Sequence, residues 1–244
     1  MENLKRENRM KVKITVLLLF LCMLPLFSSQ KLKFVTVQNS VMSDVTQQVL
    51  KEAYSRLGIE IIIEYYPAKR SLILANEGKE YDGELHRIIG MEKRFPNLVR
   101  VPVFIYLLEG MVVSKKINFE VKGWESLKPY TIAVRRGIAF TVNGTAKMDR
   151  VILNSNEHLF QMLDNDRIDI IVLSRINALK YLKTQKASKS GILEPPVQVY
   201  EMYHYLHKKN NYLVPKLTRV LKDMQTEGLI QKIRNDYLKG LLIR

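Results

Sequence analysis

The sequence carries one succession of elements twice: a helix, a turn with an acidic residue, and a strand. In the first half, a helix over residues 68–77 is followed by Asp82 and a strand over 84–89. In the second half, a capped helix is followed by Asp169 and the apolar strand 170–173. Strands that alternate with helices favour parallel pairing with helical crossovers. The pattern therefore predicts an α/β fold built from two related units.

The remaining elements extend this alternation. Residues 32–37 read as a strand, Ser43 or Asp44 can cap a helix that ends at Gly58, and residues 59–65 read as the next strand. Further strands are predicted at 110–114, 130–134 and 197–203, and further helices at 176–182, 214–226 and 229–238. The chain is thus expected to open as β-α-β and to close with two helices.

The first thirty residues have the pattern of a leader. Five basic residues precede the apolar run 14–27, and small polar residues follow it at 28–30. The run is shorter than the roughly 20 residues of a membrane span, which favours a signal peptide over residues 1–30, cleaved near 28–30. An uncleaved anchor is the alternative. Either Met1 or Met10 can be the start, and Cys22 lacks the preceding small residue that lipoprotein processing requires.

The charge balance is strongly basic. The 244 residues include 39 Lys and Arg against 24 Asp and Glu, a net charge of +15. The leader holds five of the basic and two of the acidic residues, which leaves 34 against 22, or +12, from residue 31 onward. Cys22 is the one cysteine, so the mature chain is expected to lack disulfides, thiol catalysis and cysteine zinc sites. Export and the absence of a concentrated basic run argue against nucleic-acid binding.

Several segments resemble one family when they are taken in order. They are Pro67–Leu72 with Gly78 and Asp82-Gly83, Arg94 twelve residues after Asp82, 123–127 ahead of 131–137, 163–169, and the tail 217–238. The sequence resembles the extracellular solute-binding proteins of family 3, the periplasmic binding proteins that serve amino-acid ABC transporters.

The resemblance implies a type II periplasmic binding protein fold. Each of two lobes would be a mostly parallel sheet flanked by helices, and two crossing strands near 111–115 and 197–203 would join them. The first lobe would cover residues 31–113, the second 114–200, and the chain would return to the first lobe over 201–244. A ligand would be held in the cleft between the lobes.

Arginines are the leading candidates for ligand contacts. In the family, an arginine at the place of Arg94 commonly clamps a ligand carboxylate, a task that suits the planar guanidinium. Arg135, Arg136 and Gly137 follow a strand where a helix can begin, and backbone N–H groups there favour an anion. Ile138 replaces the family's hydroxyl residue. The alternative for each arginine is a solvated surface charge.

The second lobe departs from the pattern of amino-acid binders, which carry an acidic residue after the strand to hold the ligand's ammonium group. The corresponding stretch is Leu173-Ser174-Arg175. A cation there would repel an ammonium group, so either the ligand lacks a free amine or the pocket has been repurposed. Ser174 can donate to a ligand or cap the following helix.

Four further side chains are candidate contacts: Arg70, Arg87, Tyr66 and Tyr106. The arginines can equally be surface residues, and the tyrosines can belong to the strand core. The four histidines do not have the spacing of a metal site, and no cofactor is implied.

The function expected from these features is the capture of a small anionic organic solute, amino-acid-like or a carboxylate, by an exported monomer in the periplasm. An ABC permease or a membrane signalling protein would be its partner. The sequence contains no nucleophile elbow, zinc motif or phosphate-binding glycine loop, so enzymatic activity is not expected. The alternatives are a ligand-sensing or interaction module without a transporter and a dehydratase-like enzyme on the same fold.

Overall fold

A computed structural model describes residues 31–184 and 189–243. The strands in these ranges are β1 (Lys31–Val37), β2 (Glu60–Tyr66), β3 (Gly83–Ile88), β4 (Leu98–Ser114), β5 (Ile132–Arg135), β6 (Arg150–Leu153), β7 (Ile170–Ser174) and β8 (Gly191–His207). The helices are α1 (Val41–Ser55), α2 (Ala68–Glu77), α3 (Ala139–Gly144), α4 (Asn156–Asp164), α5 (Arg175–Thr184), α6 (Val214–Thr226) and α7 (Leu229–Ile243). The predicted signal peptide, 1–30, and its cleavage site lie outside the described residues. No helix within the described ranges is long and apolar enough to cross a membrane.

The strands form one sheet in the order β2-β1-β3-β8-β4-β7-β5-β6. β1 pairs in parallel with β2 and β3, and β5 pairs in parallel with β6 and β7. Between these groups, β4 and β8 are 17 residues long and pair with each other antiparallel. β8 joins the first group through β3, and β4 joins the second through β7. Two parallel groups are therefore connected by two long crossing strands.

Each parallel group and its helices form a lobe with its own core. The first lobe consists of β1–β3 with α1, α2, α6 and α7, and the second consists of β5–β7 with α3–α5. Phe34 and Leu50 pack with Leu217 and Met224, so the closing helices return to the first lobe. Separate apolar clusters bury both faces of the second-lobe sheet. The predicted boundaries at 113, 114, 200 and 201 stay a prediction, since β4 and β8 extend into both lobes.

This architecture confirms the predicted two-lobed α/β fold, in which parallel strands flanked by helices form each lobe and crossing strands join the lobes. The two parallel groups belong to one continuous sheet rather than to separate sheets. Several details differ from the sequence-based prediction, including β8, which spans Gly191–His207 rather than 197–203. β4 begins at Leu98 rather than near residue 110, and its pairing with β8 contains several register shifts, which break the alternation that marks a strand. β6 was not predicted because it has only four residues at the edge of the sheet.

The two acidic turn residues have the same role in the two lobes. Asp82 Oδ2 accepts a hydrogen bond from the backbone N–H of Lys33 at 2.8 Å. Asp169 Oδ2 accepts one from the backbone N–H of Thr131, also at 2.8 Å. Each carboxylate thus ties the turn before a strand to a segment at the start of the neighbouring strand.

Gly83 lies at a close approach between β3 and β8. A Cβ atom at this position would lie 2.1 Å from the backbone oxygen of Tyr205. We expect Gly83→Ala to lower the free energy of unfolding by about 3 kcal/mol, because neither backbone can move without disturbing the sheet. The matched control is Gly191→Ala, where nothing lies within 4 Å of the added atom. Urea unfolding of both variants measures the effect, and equal stabilities would contradict this account.

Candidate functional site

A cavity of about 220 Å³ lies between the two lobes. From the first lobe it is lined by the starts of α1 and α2 and by the end of β3. From the second lobe it is lined by the β5–α3 turn, the start of α4 and the end of β7. β4 and β8 contribute Leu108 and Met202 where they cross. The cavity therefore occupies the junction at which both lobes meet the crossing strands.

The lobes also touch beside this cavity through apolar side chains. Met42 and Val45 of α1 pack in one cluster with Phe140 of α3 and Ile176 of α5. Arg135 Nη1 donates to the backbone oxygen of Asn39 across the lobes at 3.4 Å. The structure therefore has the lobes in contact around the cavity.

The lining combines apolar and cationic side chains. The apolar members come from both lobes and include Met42, Leu72, Ile88, Leu108, Phe140 and Met202. The cationic members are Lys69, Arg87, Arg94 and Arg135. Among the lining residues in the described part of the chain, none is an aspartate or a glutamate. The electrostatic character of the cavity is therefore positive, which favours an anion.

Arg87 is the most firmly held of the four cations. Its Nη2 atom donates to the backbone oxygen of Ala68 at 3.0 Å and to the hydroxyl of Ser71, both in the first turn of α2. The same atom lies 3.2 Å from Oε2 of Glu84, and only 13% of the Arg87 side chain is exposed. A guanidinium held in one place loses little freedom when an anion binds to it.

Glu84 lies behind Arg87, and its side chain is fully buried. A register shift in the pairing of β3 with β8 separates the two residues and brings both to the α2 side of the sheet. Neither carboxylate oxygen has a hydrogen-bond partner among the described residues. Burial raises the pKa of the Glu84 carboxyl to about 7, although the charge of Arg87 and the nearby donors of Ser71 and Arg87 oppose the shift.

His86 is a neutral polar group in the cavity wall. It is 1% exposed, and burial, with the charge of Arg87, lowers its pKa to about 3. Its Nδ1 atom lies 2.9 Å from the hydroxyl oxygen of Thr46, which donates its own proton to the backbone oxygen of Met42 at 2.9 Å. On this pattern we assign the ring proton to Nδ1, which leaves Nε2 as a hydrogen-bond acceptor.

Five of the nine site residues expected from the sequence line the cavity: Arg87, Arg94, Arg135, Gly137 and Ser174. Arg94 is exposed, with its guanidinium 6.0 Å from the ring centre of Phe95. Ser174 accepts a hydrogen bond from Asn177 Nδ2 at 2.9 Å. The sequence therefore located residues from both sides of the cavity, while their contact with a ligand stays a prediction.

The other four expected residues lie outside the lining. Arg70 is exposed on α2, and Arg136 is exposed, with Nε donating to Asn154 Oδ1 at 3.0 Å. The Tyr66 hydroxyl bonds to Glu64 and Tyr81. Tyr106 is buried, with the guanidinium of Arg234 5.5 Å from its ring centre.

Arg175 does not face the cavity, contrary to the reasoning from sequence. Its Nε atom lies 3.1 Å from Glu109, and its Nη1 atom lies 2.7 Å from Glu194. Glu109 also binds Arg234 of α7 at 2.8 Å. Repulsion between Arg175 and a ligand ammonium group is therefore not the reason to doubt an amine. A separate reason to doubt an amine is that the lining contains no carboxylate among the residues that the structure describes.

Several lining residues were not singled out from the sequence, notably His86, Lys69, Phe140, Asn156 and Asn177. One signal was present for His86, which is a polar residue inside a predicted strand next to Arg87. Asn156 and Asn177 lie in the first turns of α4 and α5, and their direction depends on how those helices pack. No group of three or more possible metal ligands occurs within residues 31–184 and 189–243.

No protein-family model matches the sequence. An uncharacterized protein of Shewanella oneidensis is 27% identical over 197 residues, which cover 76% of this chain and 73% of that protein.

Solved structures with similar coordinates cover most of the chain. The GluR0 ligand-binding core in complex with L-glutamate has a TM-score of 0.72 at 13% identity and covers 86% of this chain and 99% of that one. A histidine kinase sensor domain similar to periplasmic binding proteins has a TM-score of 0.69 at 12% identity, with 86% and 96% covered. An amino-acid ABC transporter substrate-binding protein of Streptococcus pneumoniae bound to L-arginine has a TM-score of 0.67 at 14% identity, with 87% and 96% covered. The chain has the two-lobed fold of type II periplasmic binding proteins.

Proposed function

We propose that this protein is an exported, monomeric solute-binding protein of the periplasm that captures an organic anion with an apolar body and delivers it to an ABC-type uptake system. The observation that carries the proposal is the interlobe cavity, which has four cationic side chains, no carboxylate among its described lining residues, and an otherwise largely apolar wall. The protein performs no chemistry on the solute.

Charge complementarity supports an anion. Arg87, Arg94 and Lys69 approach from the first lobe, and Arg135 approaches from the second. Guanidinium groups bind a carboxylate through two parallel hydrogen bonds, and these are stronger than bonds between neutral groups. Arg87 is largely shielded from water, with 13% of its side chain exposed, so its charge acts more strongly than that of a surface arginine.

The rest of the lining supports an apolar body. Phe140, Met202 and Leu108 are buried and line the cavity together with Met42 and Ile88. An apolar group gains about 25 cal/mol for each Å² that it buries there. A small hydrophilic anion such as formate would leave this surface without a partner.

The polar groups that remain do not match a free ammonium group. His86 Nε2 and the side chains of Ser174, Asn156 and Asn177 are neutral, and they offer hydrogen bonds without charge compensation. A cationic amine among four cations would be repelled. A carboxylate with a neutral hydrogen-bonding group fits better than an α-amino acid, and this distinguishes the ligand from those bound in the amino-acid complexes of similar fold.

Ligand capture would act through the lobes. An anion that contacts Arg87 and Arg135 together touches both lobes, so it stabilises the arrangement in which they are close. The shift of the open–closed equilibrium is set by the difference between the anion's binding free energies for the closed and the open form. The fold therefore couples solute binding to the separation of the lobes.

A sensor module is a second candidate, and the likeness to a histidine kinase sensor domain favours it. The same cleft and the same anion would then serve a membrane signalling protein instead of a permease. Co-purification from membranes after cross-linking distinguishes the two, since either permease subunits or a signalling protein would be captured.

A thermal-shift screen of organic anions tests the proposed function. The panel pairs each carboxylate with its amide and its amine, for example 3-phenylpropionate with 3-phenylpropionamide and 3-phenylpropylamine. At a hundred times its Kd, a bound anion adds about 2.7 kcal/mol to the free energy of unfolding, which raises Tm by several degrees. The amide and the amine should have no such effect. Stabilisation by amines alone, or by no member of the panel, would overturn the proposal.

Substitution of Arg94 tests the same site with a smaller expected loss of affinity. Because its side chain is exposed, we expect Arg94→Ala to weaken 3-phenylpropionate binding by about tenfold, the effect of one charge-assisted hydrogen bond. The exposed neighbour Lys93 does not line the cavity, and Lys93→Ala is the matched control with an expected change below twofold. Calorimetric titration measures both. An unchanged affinity in Arg94→Ala would show that Arg94 does not clamp the anion.

A further inference from the structure

Glu84 is a buried carboxyl group that does not line the cavity but contacts Arg87, which does. Its side chain has no exposed surface, and neither oxygen has a hydrogen-bond partner among the described residues. Within residues 31–184 and 189–243 it forms one ion pair, with Arg87 at 3.2 Å, and Arg87 itself lines the cavity. The guanidinium therefore stands between Glu84 on one side and the space for a ligand on the other.

The surroundings of Glu84 provide little else to balance a negative charge. Ser71 of α2 faces it, and its hydroxyl, which also bonds to Arg87 and to the backbone oxygen of Ala68, opposes the rise in the Glu84 pKa only in part. His86 of β3 and His204 of β8 lie close to it, and burial keeps both rings neutral. Val35 of β1 and Tyr205 of β8 are its partners in the sheet. The Tyr205 hydroxyl shares its one proton between two acceptors, the backbone oxygen of Ile88 at 2.9 Å and Glu92 at 3.1 Å. Arg100 lies opposite Tyr205 on β4, with its guanidinium 4.5 Å from the ring centre of Tyr203.

An anion in the cavity would therefore share Arg87 with Glu84. If Glu84 stayed ionised, two negative groups would compete for one cation in a site of low dielectric constant. If Glu84 took up a proton, the full charge of Arg87 would be available to the anion. The protonated form costs little at neutral pH, because burial already raises the pKa of this carboxyl to about 7.

We propose that Glu84 takes up a proton when an anion binds at Arg87, so that the solute enters the cleft as an anion together with one proton. The inference rests on the proposed function and adds to it a specificity-determining residue that does not touch the solute. By linkage, the anion raises the proton affinity of Glu84, and the proton raises the anion affinity of the cavity by the same factor.

Calorimetry of 3-phenylpropionate binding at pH 7 in phosphate and in Tris tests this coupling, since the two buffers differ in ionisation enthalpy. The wild-type protein should take up about half a proton for each anion bound, and Kd should rise by up to about tenfold for each pH unit above 7. In Glu84→Gln, a neutral mimic of the protonated acid, the proton uptake and the pH dependence should both vanish. Glu60→Gln, which changes an exposed carboxylate paired with Lys31, should retain both.

The outcomes separate the two proposals. Binding of the probe without proton uptake would overturn the coupling and leave the proposed function intact. No binding at any pH would contradict both the capture of apolar anions and the coupling. If Glu84→Gln does not fold, the two-buffer measurement on the wild-type protein still decides, and carboxyl ¹³C resonances of its glutamates should include one that titrates near pH 7. A set of glutamates that all titrate below pH 5 would overturn the proposal.

Discussion

Arg87→Met is expected to abolish binding of 3-phenylpropionate, with a loss of affinity of at least about a hundredfold. The reason is that Arg87 is the best-held cation of the cavity and is partly desolvated, so its removal leaves a bound carboxylate without its main partner. Calorimetric titration at pH 6.5 measures the loss. Arg70→Met is the matched control, because Arg70 is exposed on α2 and lies outside the cavity lining.

The same substitution should lower stability in a way that depends on Glu84. Without Arg87, the buried Glu84 carboxylate has no cation, and the cost is expected to be about 3 kcal/mol at pH 8.5 and smaller at pH 6, where Glu84 is protonated. The double variant Glu84→Gln/Arg87→Met should recover most of this stability and none of the binding. Two results would show that Arg87 is not the anion's partner. One is a restored affinity for 3-phenylpropionate in the double variant, and the other is an affinity in Arg70→Met as low as that in Arg87→Met.

Acid is expected to destabilise the first lobe through two buried histidines. Burial lowers the pKa of His86 to about 3 and that of His204 to about 4, below the value of about 6.5 in an unfolded chain. A depressed pKa means that the unfolded state binds protons first, so stability is present above pH 6.5 and is lost as the pH falls towards 4. Each histidine should account for a loss on the order of 3 kcal/mol between pH 7 and pH 4.

Glu84 acts in the opposite direction over this range. Because its pKa is raised in the folded protein, its contribution to stability is fully present below about pH 4.5 and is lost as the pH rises through about 7. The net acid loss of the wild-type protein is therefore smaller than the sum for the two histidines. Glu84 contributes equally to the wild-type protein and to a histidine variant, so the difference between their acid losses reports the histidine alone.

His204→Gln isolates one of these losses. His204 Nδ1 lies 3.1 Å from the backbone oxygen of Leu85, and Nε2 lies 2.8 Å from the Tyr54 hydroxyl, so the neutral ring is fully bonded. A proton on Nε2 would turn the Tyr54 hydroxyl from donor to acceptor and would place a charge in a fully buried site. We expect urea unfolding at pH 7 and pH 4 to show a smaller acid loss in His204→Gln by about 3 kcal/mol. His158→Gln, at an exposed position, should behave as wild type. An acid loss that is the same in all three proteins would contradict this account.

The sequence predicted those elements whose ends are encoded locally. Helix α2 runs over Ala68–Glu77 as expected, because Pro67 precedes its first turn and Gly78, with a φ of 66°, ends it. Helix α6 likewise has a proline in its first turn and occupies the predicted range 214–226. The first half of β4 was missed because Pro102 and the shifts in register disguise it.

The composition of the cavity could be predicted only in part. Arg94, Arg135 and Ser174 follow or precede recognisable strands, and the topology brings them to the cleft. The direction of Arg175 depends on Glu109 and on Glu194, which is 19 residues away in the sequence, and no local pattern encodes that pairing. The pairing of Glu84 with Arg87 depends on an irregularity in strand pairing, which sequence spacing does not reveal.

The position of a bound anion tests the central claim most directly. A crystal structure with 3-(4-bromophenyl)propionate would locate the bromine by its anomalous scattering and the carboxylate by its density. We expect the carboxylate within about 3 Å of the Arg87 guanidinium and the bromine between Phe140 and Met202. Density for the probe outside the cleft, or an empty cleft at a saturating concentration of the probe, would contradict the assignment of this cavity as a site for organic anions.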